Sequence, residues 1–69
     1  MSEIRAEMAA NVWKIVVEEG AQVAIGDTIV ILESMKMEIH IESEAIGAVT
    51  VAVEEGQTVQ EGDVIATVG

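Results

Sequence analysis

The residues with the clearest potential for chemistry lie near the midpoint of the chain, in the stretch Glu33–Glu38, which reads ESMKME. A lysine ε-amine accepts an acyl group once an enzyme removes its proton and supplies an activated carboxyl group, because the amine is almost wholly protonated at neutral pH. Lys36 is flanked by Met35 and Met37, and apolar side chains on a polar turn are unusual unless a partner covers them. The stretch therefore predicts a lysine that is presented for covalent modification.

Two similar arms flank this lysine. Shifted by 36 positions, residues 17–32 match residues 53–68 at eight positions, which include a Glu-Glu-Gly turn and a Gly-Asp turn in each arm. Because such turns determine the path of the backbone, we interpret the similarity as a structural repeat. Upstream of these turns the best shift becomes 37, so the first arm carries one extra residue. We predict a β-bulge near Asn11 or Val12.

The composition and the spacing of apolar residues predict strands. The chain has eleven Val, nine Ile and no Pro, and β-branched residues favour a pleated, half-buried surface. A short edge strand is predicted over 2–7, with Ile4 and Ala6 facing inward. The run 28–33 is almost continuously apolar, which is typical of a strand buried on both faces, whereas 37–42 alternates cleanly.

The strand over 11–17 decides which face of the first arm is buried. Its alternation places Trp13, Ile15 and Val17 on the core face and Lys14 on the solvent face. We therefore predict that the single tryptophan fills the core or its edge.

These elements predict an all-β fold in a single domain over residues 1–69. Two copies of a four-strand unit give eight short strands, and neither copy could bury its apolar face alone. We expect a flattened β-barrel or sandwich of two four-stranded antiparallel sheets related by a pseudo-twofold axis. In that arrangement a hairpin with Met35 and Lys36 at its tip lies at one end, and the chain termini lie at the other.

The charge and the composition exclude several classes of function. Thirteen acidic residues against three basic ones give a formal net charge of −10, which disfavours nucleic acid and favours partners with positive surfaces. The chain has no Cys and a single histidine, His40, so a disulfide framework is excluded and a metal site is disfavoured. No apolar run approaches the roughly 18 residues of a membrane span, and no signal peptide is evident. We expect a soluble, cytoplasmic monomer without a membrane partner.

The ESMKME stretch between two Glu-Glu-Gly and Gly-Asp arms resembles the biotinyl/lipoyl attachment domain family, especially its small stand-alone biotin/lipoyl attachment proteins. The resemblance covers residues 8–68 and implies the barrel-sandwich hybrid fold. It implies a non-catalytic biotin carboxyl carrier, in which a biotin protein ligase attaches biotin to Lys36 through an amide. The biotinyl arm would then carry a carboxyl group between biotin carboxylase and carboxyltransferase sites. The first arm has no long insertion after Val17, which implies that the thumb loop of some bacterial carriers is missing.

Residue by residue, Lys36 corresponds to the modified lysine, and Met35 and Met37 correspond to the flanking methionines that favour biotin. Lipoyl-type domains usually have Asp before that lysine. Four glycines match the family's turn positions: Gly20, Gly26, Gly56 and Gly62. The family's usual Pro before the second arm is replaced by the segment 44–47, and Ala10 stands where relatives often have Gly. These departures bear on the local strand register and not on the lysine.

Three functions stay open at this point. The favoured one is a biotin carboxyl carrier, and the alternatives are a lipoyl carrier with lipoate on Lys36 and an unmodified barrel that serves as an interaction module. Glu33 and Glu38 either contribute to recognition by the ligase or are ordinary solvated acids. The spacing of the polar residues forms no catalytic triad or carboxylate pair, so we do not expect an enzyme.

Overall fold

The computed structural model describes residues 2–69, which form eight β-strands. In chain order these are β1 (Ser2–Arg5), β2 (Ala10–Ile15), β3 (Gln22–Val23), β4 (Thr28–Ser34), β5 (Met37–Glu42), β6 (Gly47–Val51), β7 (Thr58–Val59) and β8 (Val64–Val68). The described part of the chain has no helix long and apolar enough to cross a membrane.

The strands form two four-stranded antiparallel sheets, in the orders β1-β8-β6-β3 and β5-β4-β2-β7. This arrangement confirms the predicted all-β architecture. Each sheet takes two strands from each half of the chain, so the two copies of the repeat are interleaved. Exchanging β1 with β5, β2 with β6, β3 with β7 and β4 with β8 converts one strand order into the other. The topology therefore has the twofold relation that the repeat predicts.

The core between the two sheets is aliphatic. Its fully buried large side chains are Ile29, Leu32, Ile65, Val12, Val30, Val49, Val59 and Val68. Seven of these eight are β-branched, and such side chains have few rotamers and pack well on a pleated surface. The predicted inward residues of β1 are confirmed, since Ile4 and Ala6 are both buried. The core therefore gives the barrel a stiff body on which a surface turn can be held.

The two Glu-Glu-Gly turns stabilise the barrel with matched hydrogen bonds. The Val51 N–H donates to Glu19 Oε1 at 2.8 Å, and the Ile15 N–H donates to Glu55 Oε2 at 3.0 Å, so each turn binds a strand of the other copy. The glycine that follows each glutamate has a φ of 82° at Gly20 and 87° at the equivalent position, Gly56. Glycine reaches this left-handed region at little cost, so the predicted role of these turns is confirmed.

The Gly-Asp turns are also matched between the copies. Asp27 Oδ2 accepts a hydrogen bond from the Ala24 N–H at 2.9 Å, and Asp63 Oδ2 accepts one from the Gln60 N–H at 2.8 Å. Such a side-chain bond closes a turn without help from the rest of the fold. These two acidic residues therefore stabilise backbone turns, in addition to contributing to the net charge.

The prediction that Trp13 faces the core is wrong. In the pairing of β2 with β4, Val12 lies opposite Leu32 and Lys14 lies opposite Ile31, so the ladder skips Trp13. Val12 is buried, and Trp13 is 44% exposed with Lys14 Nζ 5.4 Å from the centre of its ring. The extra residue of the first arm is thus a bulge at this position, close to the predicted one. A bulge reverses the alternation, which explains why Trp13 and Lys14 both face solvent.

The prediction that the run 28–33 is buried on both faces, or close to it, holds for 28–32, where every residue is buried or half-buried. Ile29 and Val30 are both fully buried, and the pairing with β5 is irregular between Thr28 and Val30. Beyond that irregularity the strand alternates, with Leu32 buried and Glu33 exposed. The outer face of β4 is therefore exposed only from Glu33, at the end that leads into the hairpin.

Candidate functional site

Lys36 lies at the tip of the β4–β5 hairpin. The ladder between these strands ends at the pair Ser34 and Met37, which leaves Met35 and Lys36 as a two-residue loop. Their φ angles are 51° and 66°, so both central residues have left-handed backbone. Positive φ at both positions is typical of type I′ hairpin loops, whose twist matches that of the flanking strands. The hairpin tip is therefore where the sequence predicts it, without the Asn-Gly pair that usually supports such a turn.

This left-handed turn is unusual in its residue types. Within residues 2–69, Met35 and Lys36 are the only residues other than glycine with positive φ. The conformation costs an L-residue about 1–2 kcal/mol, and such strain persists where the surrounding structure holds it and often marks functional sites. Here the ladder on both sides of the turn holds it. The backbone around Lys36 is thus fixed, while the lysine side chain is exposed.

The two methionines make the tip apolar as well as exposed. Met35 is 91% exposed, which is the highest value among the exposed large apolar residues of the described chain, and Met37 is 63% exposed. On the same face of β5, Ile39 and Ile41 pack against the core. Met37 does not, because it lies beyond the end of the core. Apolar side chains held away from the body in this way favour a surface that another protein covers.

The acidic residues near the tip leave the lysine amine unpaired. Over residues 2–69, no carboxylate lies within 4.0 Å of Lys36 Nζ. Glu33 and Glu38 lie directly opposite each other in the ladder, and both are exposed. His40 Nε2 is 4.0 Å from Glu38 Oε1, a weak surface contact. The tip therefore presents an exposed amine that forms no ion pair with the nearby carboxylates of the described residues.

The hairpin projects beyond the part of the fold that the repeat generates. With the shifts of 36 and 37 read from the sequence, Leu32 corresponds to Val68 and Ile39 to Ser2, which form the last described pair in the ladder of β8 with β1. The hairpin continues for two more pairs, Glu33 with Glu38 and Ser34 with Met37. At the rise of a strand this adds about 7 Å. These two pairs place the lysine farther from the body of the barrel than Leu32 and Ile39.

A groove on the surface of the described residues is separate from the tip. It has a volume of about 440 Å³ and lies between the edge strands β1 and β5, and its lining includes Ile4, Ile39, His40 and Ile41. None of the residues 33–38 lines it. This groove therefore does not enclose Lys36.

The structure brings together at the tip all the residues that the sequence singled out: Glu33, Met35, Lys36, Met37 and Glu38. Their roles stay predictions. Sequence reasoning did not find the left-handed backbone of the turn, the added ladder pairs, or the hydrogen bonds of Glu19 and Glu55. These two glutamates occupy equivalent positions in the two copies of the repeat, and this equivalence could have indicated that they form matching hydrogen bonds.

A family model described as "Biotin-requiring enzyme", for the biotin/lipoyl domain, matches residues 1–68. The chain belongs to the biotin/lipoyl attachment family. Two similar family members are small proteins. A protein of Mycobacterium leprae named "Biotinylated protein TB7.3 homolog" is 46% identical over 67 residues, covering 96% of this chain and 94% of that protein. The "Biotin/lipoyl attachment protein" of Bacillus subtilis is 48% identical over 60 residues, covering 86% of this chain and 82% of the relative.

The biotin/lipoyl fold of this chain also occurs inside much larger enzymes. The crystal structure of the Kluyveromyces lactis urea carboxylase superposes with a TM-score of 0.91 and 29% identity over 99% of this chain. The match spans only 6% of the carboxylase chain. The family assignment confirms the resemblance drawn from the ESMKME stretch and its two arms. The description of the family agrees with biotin, the cofactor that the sequence favoured.

Proposed function

We propose that this protein is a biotin carboxyl carrier and that Lys36 is its site of biotin attachment. The observation that carries the proposal is the tip itself: a free lysine amine on a fixed left-handed turn, bracketed by two exposed methionines. Membership of a family described by its biotin requirement supports the cofactor. A biotinylated relative of nearly the same length, 46% identical, supports the same assignment.

The residues at the tip fit an attached biotin. Attachment joins the lysine Nζ to the carboxyl carbon of biotin, and the amine loses a proton as the amide forms. A biotin protein ligase would supply the carboxyl group as an adenylate, which leaves as AMP. Over residues 2–69 no carboxylate holds the amine, so the ligase breaks no ion pair to reach it. When bound, biotin supplies a ring nitrogen that accepts and releases a carboxyl group.

The geometry of the tip favours a carrier over a catalyst. The turn lies outside the 440 Å³ groove, and the lysine side chain together with an attached biotin would form a long flexible arm on a rigid base. Such an arm gives a bound group a high effective concentration at two active sites. We therefore assign the chemistry to partners, a biotin carboxylase and a carboxyltransferase, and not to this chain.

The net charge of the chain and the ATP requirement of biotin activation bear on the partners of the protein and on its location in the cell. The net charge of −10 steers encounters with proteins that have basic surfaces around their active sites. Activation of biotin as an adenylate consumes ATP. We therefore propose that the protein acts in the cytoplasm, where the ligase has ATP.

The decisive measurement is the intact mass of the full chain after incubation with biotin protein ligase, biotin and ATP. We expect one biotinyl group per chain. The chain contains only two lysines, Lys36 on the tip and Lys14 on β2, so it offers its own control. Lys36→Arg should abolish the mass increment, whereas Lys14→Arg should leave it unchanged.

Other outcomes separate the alternatives. A lipoyl increment with a lipoate ligase, and none with the biotin ligase, would assign the protein as a lipoyl carrier. No increment with either ligase would leave the barrel as an interaction module. Full labelling of the Lys36→Arg variant would contradict the site assignment even if the protein were biotinylated.

A further inference from the structure

We propose that Met35 and Met37 form a peroxide-sensitive pair, and that their oxidation to sulfoxides blocks attachment of biotin to Lys36. The inference rests on the proposed function, and adds to it a modification site that controls loading of the carrier. It starts from the exposure of the two side chains, 91% and 63%. In a globular protein, methionine usually fills gaps in the core.

Met35 and Met37 are the most exposed sulfur-containing residues in the described chain. The sequence has no cysteine, so no thiol competes for an oxidant. The other methionine within residues 2–69 is Met8, which is 47% exposed and lies between β1 and β2. Since oxidation depends on access to the sulfur, the order of reaction should follow the order of exposure. Met35 should react first and Met8 last.

The chemical step is balanced with hydrogen peroxide as the oxidant. The sulfur donates a lone pair to one peroxide oxygen, the O–O bond breaks, and the proton on that oxygen moves to the second oxygen, which leaves as water. The thioether is oxidised by two electrons to the sulfoxide, and the peroxide is reduced. Methionine sulfoxide reductases reverse the change with a thiol as the reductant, so the modification can act as a switch.

Oxidation at this position should change recognition and leave the fold intact. Met35 and Met37 lie outside the aliphatic core, so a sulfoxide there removes no core packing. Both residues adjoin Lys36, and an enzyme that encloses the lysine amine must also cover its most exposed neighbours. A sulfoxide is polar, and its burial against an apolar surface without a hydrogen-bond partner is unfavourable. The ligase therefore loses its contact with the tip while the barrel stays folded.

The experiment uses the unmodified full chain treated with hydrogen peroxide, which catalase removes before the ligase, biotin and ATP are added. Peptide mass mapping gives the extent of oxidation at each methionine, and circular dichroism melting reports the fold. We expect oxidation in the order Met35, Met37, Met8. We also expect the kcat/KM of biotinylation to fall about tenfold or more, which corresponds to the burial of an unpartnered polar group. Sulfoxide reductases with dithiothreitol should restore it.

Two variants show which methionines are responsible. In the double variant Met35→Leu/Met37→Leu, the ratio of the treated to the untreated rate should be close to one, whatever the untreated rate is. Met8→Leu should keep both the normal untreated rate and the full loss on oxidation. Persistence of the loss in the double variant would overturn the proposal. So would equal labelling of chains shown by mapping to carry both sulfoxides.

The test also separates this inference from the proposed function. Failure of the untreated protein to accept biotin would overturn the carrier assignment and the switch together. Normal labelling of the untreated protein, with no effect of oxidation, would overturn the switch alone. Faster oxidation of Met8 than of Met35 and Met37 would contradict the exposure argument on which the switch depends.

Discussion

The β4–β5 hairpin and the β8–β1 strand pair are equivalent in the repeat, but only the hairpin presents a lysine. The two ladders pair equivalent positions as far as Leu32 with Ile39 in the hairpin and Val68 with Ser2 in the other strand pair. Both ladders also have a register irregularity at the equivalent position. The hairpin then adds two pairs and a left-handed turn. The comparison teaches that the barrel is a symmetric scaffold and that the proposed attachment site lies on an extension of one of its two equivalent strand pairs.

The largest effect is expected from removing that addition. Deletion of Glu33, Ser34, Met37 and Glu38 makes Leu32 and Ile39 the closing pair and keeps Met35 and Lys36 as the loop. The hairpin then ends at the pair that corresponds to Ser2 and Val68, and the deletion removes no core residue, so the barrel should stay folded. The lysine retreats by about 7 Å towards the body. We expect biotinylation by the ligase to fall more than about tenfold, measured by kcat/KM, because the body then obstructs access to the amine.

A second variant separates projection from charge. Glu33→Thr/Glu38→Thr keeps the length of the hairpin and replaces two facing carboxylates with residues that favour strands. An equal loss of biotinylation in this variant would assign the effect to the carboxylates. Normal biotinylation of the shortened hairpin would refute the view that the added pairs expose the site.

The equivalence of the two copies can be tested at the Glu-Glu-Gly turns. Gly20→Val and Gly56→Val should each lower the free energy of unfolding by about 2 kcal/mol, because each glycine has a positive φ that a β-branched residue resists. A Cβ at either position would meet no atom within 4 Å, so the cost comes from the backbone alone. Thermal unfolding should show a drop of about 10 °C for each. Ala48→Val, exposed on β6, is the control and should change the stability by less than about 0.5 kcal/mol.

The two turn variants should agree with each other. A large cost at one glycine and none at the other would mean that the copies are not energetically equivalent, in spite of their matched hydrogen bonds. Unchanged melting temperatures in both would refute the role of these turns.

The sequence predicted the parts of the structure that depend on the residue types in turns and on the spacing between the two copies of the repeat. The glycine turns defined eight strands, and the change of shift from 36 to 37 located an extra residue in the first arm. The change of shift did not show which way Trp13 faces. An extra residue anywhere between Val12 and Val17 gives the same change of shift, but its exact position decides which side chains face the core. The conformation of Met35 and Lys36 was also not predictable, since neither residue type favours a positive φ. The interleaving of the sheets depends on pairing between distant strands, which leaves no local signal.

The smallest effect is expected at the bulge, the other place where the copies differ. Deletion of Trp13 gives the first copy the spacing of the second, and the pairs on either side, Val12 with Leu32 and Lys14 with Ile31, become continuous. Trp13 is 44% exposed, so its loss should cost about 1 kcal/mol or less, compared with about 3–5 kcal/mol for truncation of a buried tryptophan. Chemical denaturation measures this directly, and biotinylation of Lys36 should be unchanged.

The matched control is deletion of Thr50, which faces solvent on β6 between the buried Val49 and the half-buried Val51. The pairing of β6 with β8 is regular there, so loss of one residue turns the following side chains to the wrong face. We expect this deletion to unfold the protein or to destabilise it far more than deletion of Trp13. Equal costs for the two deletions would mean that the bulge is integral to the scaffold. If only the Trp13 deletion is tolerated, the repeat folds without the bulge. The bulge would then be an insertion that the first copy accommodates by turning Trp13 towards solvent, on the sheet that leads to Lys36.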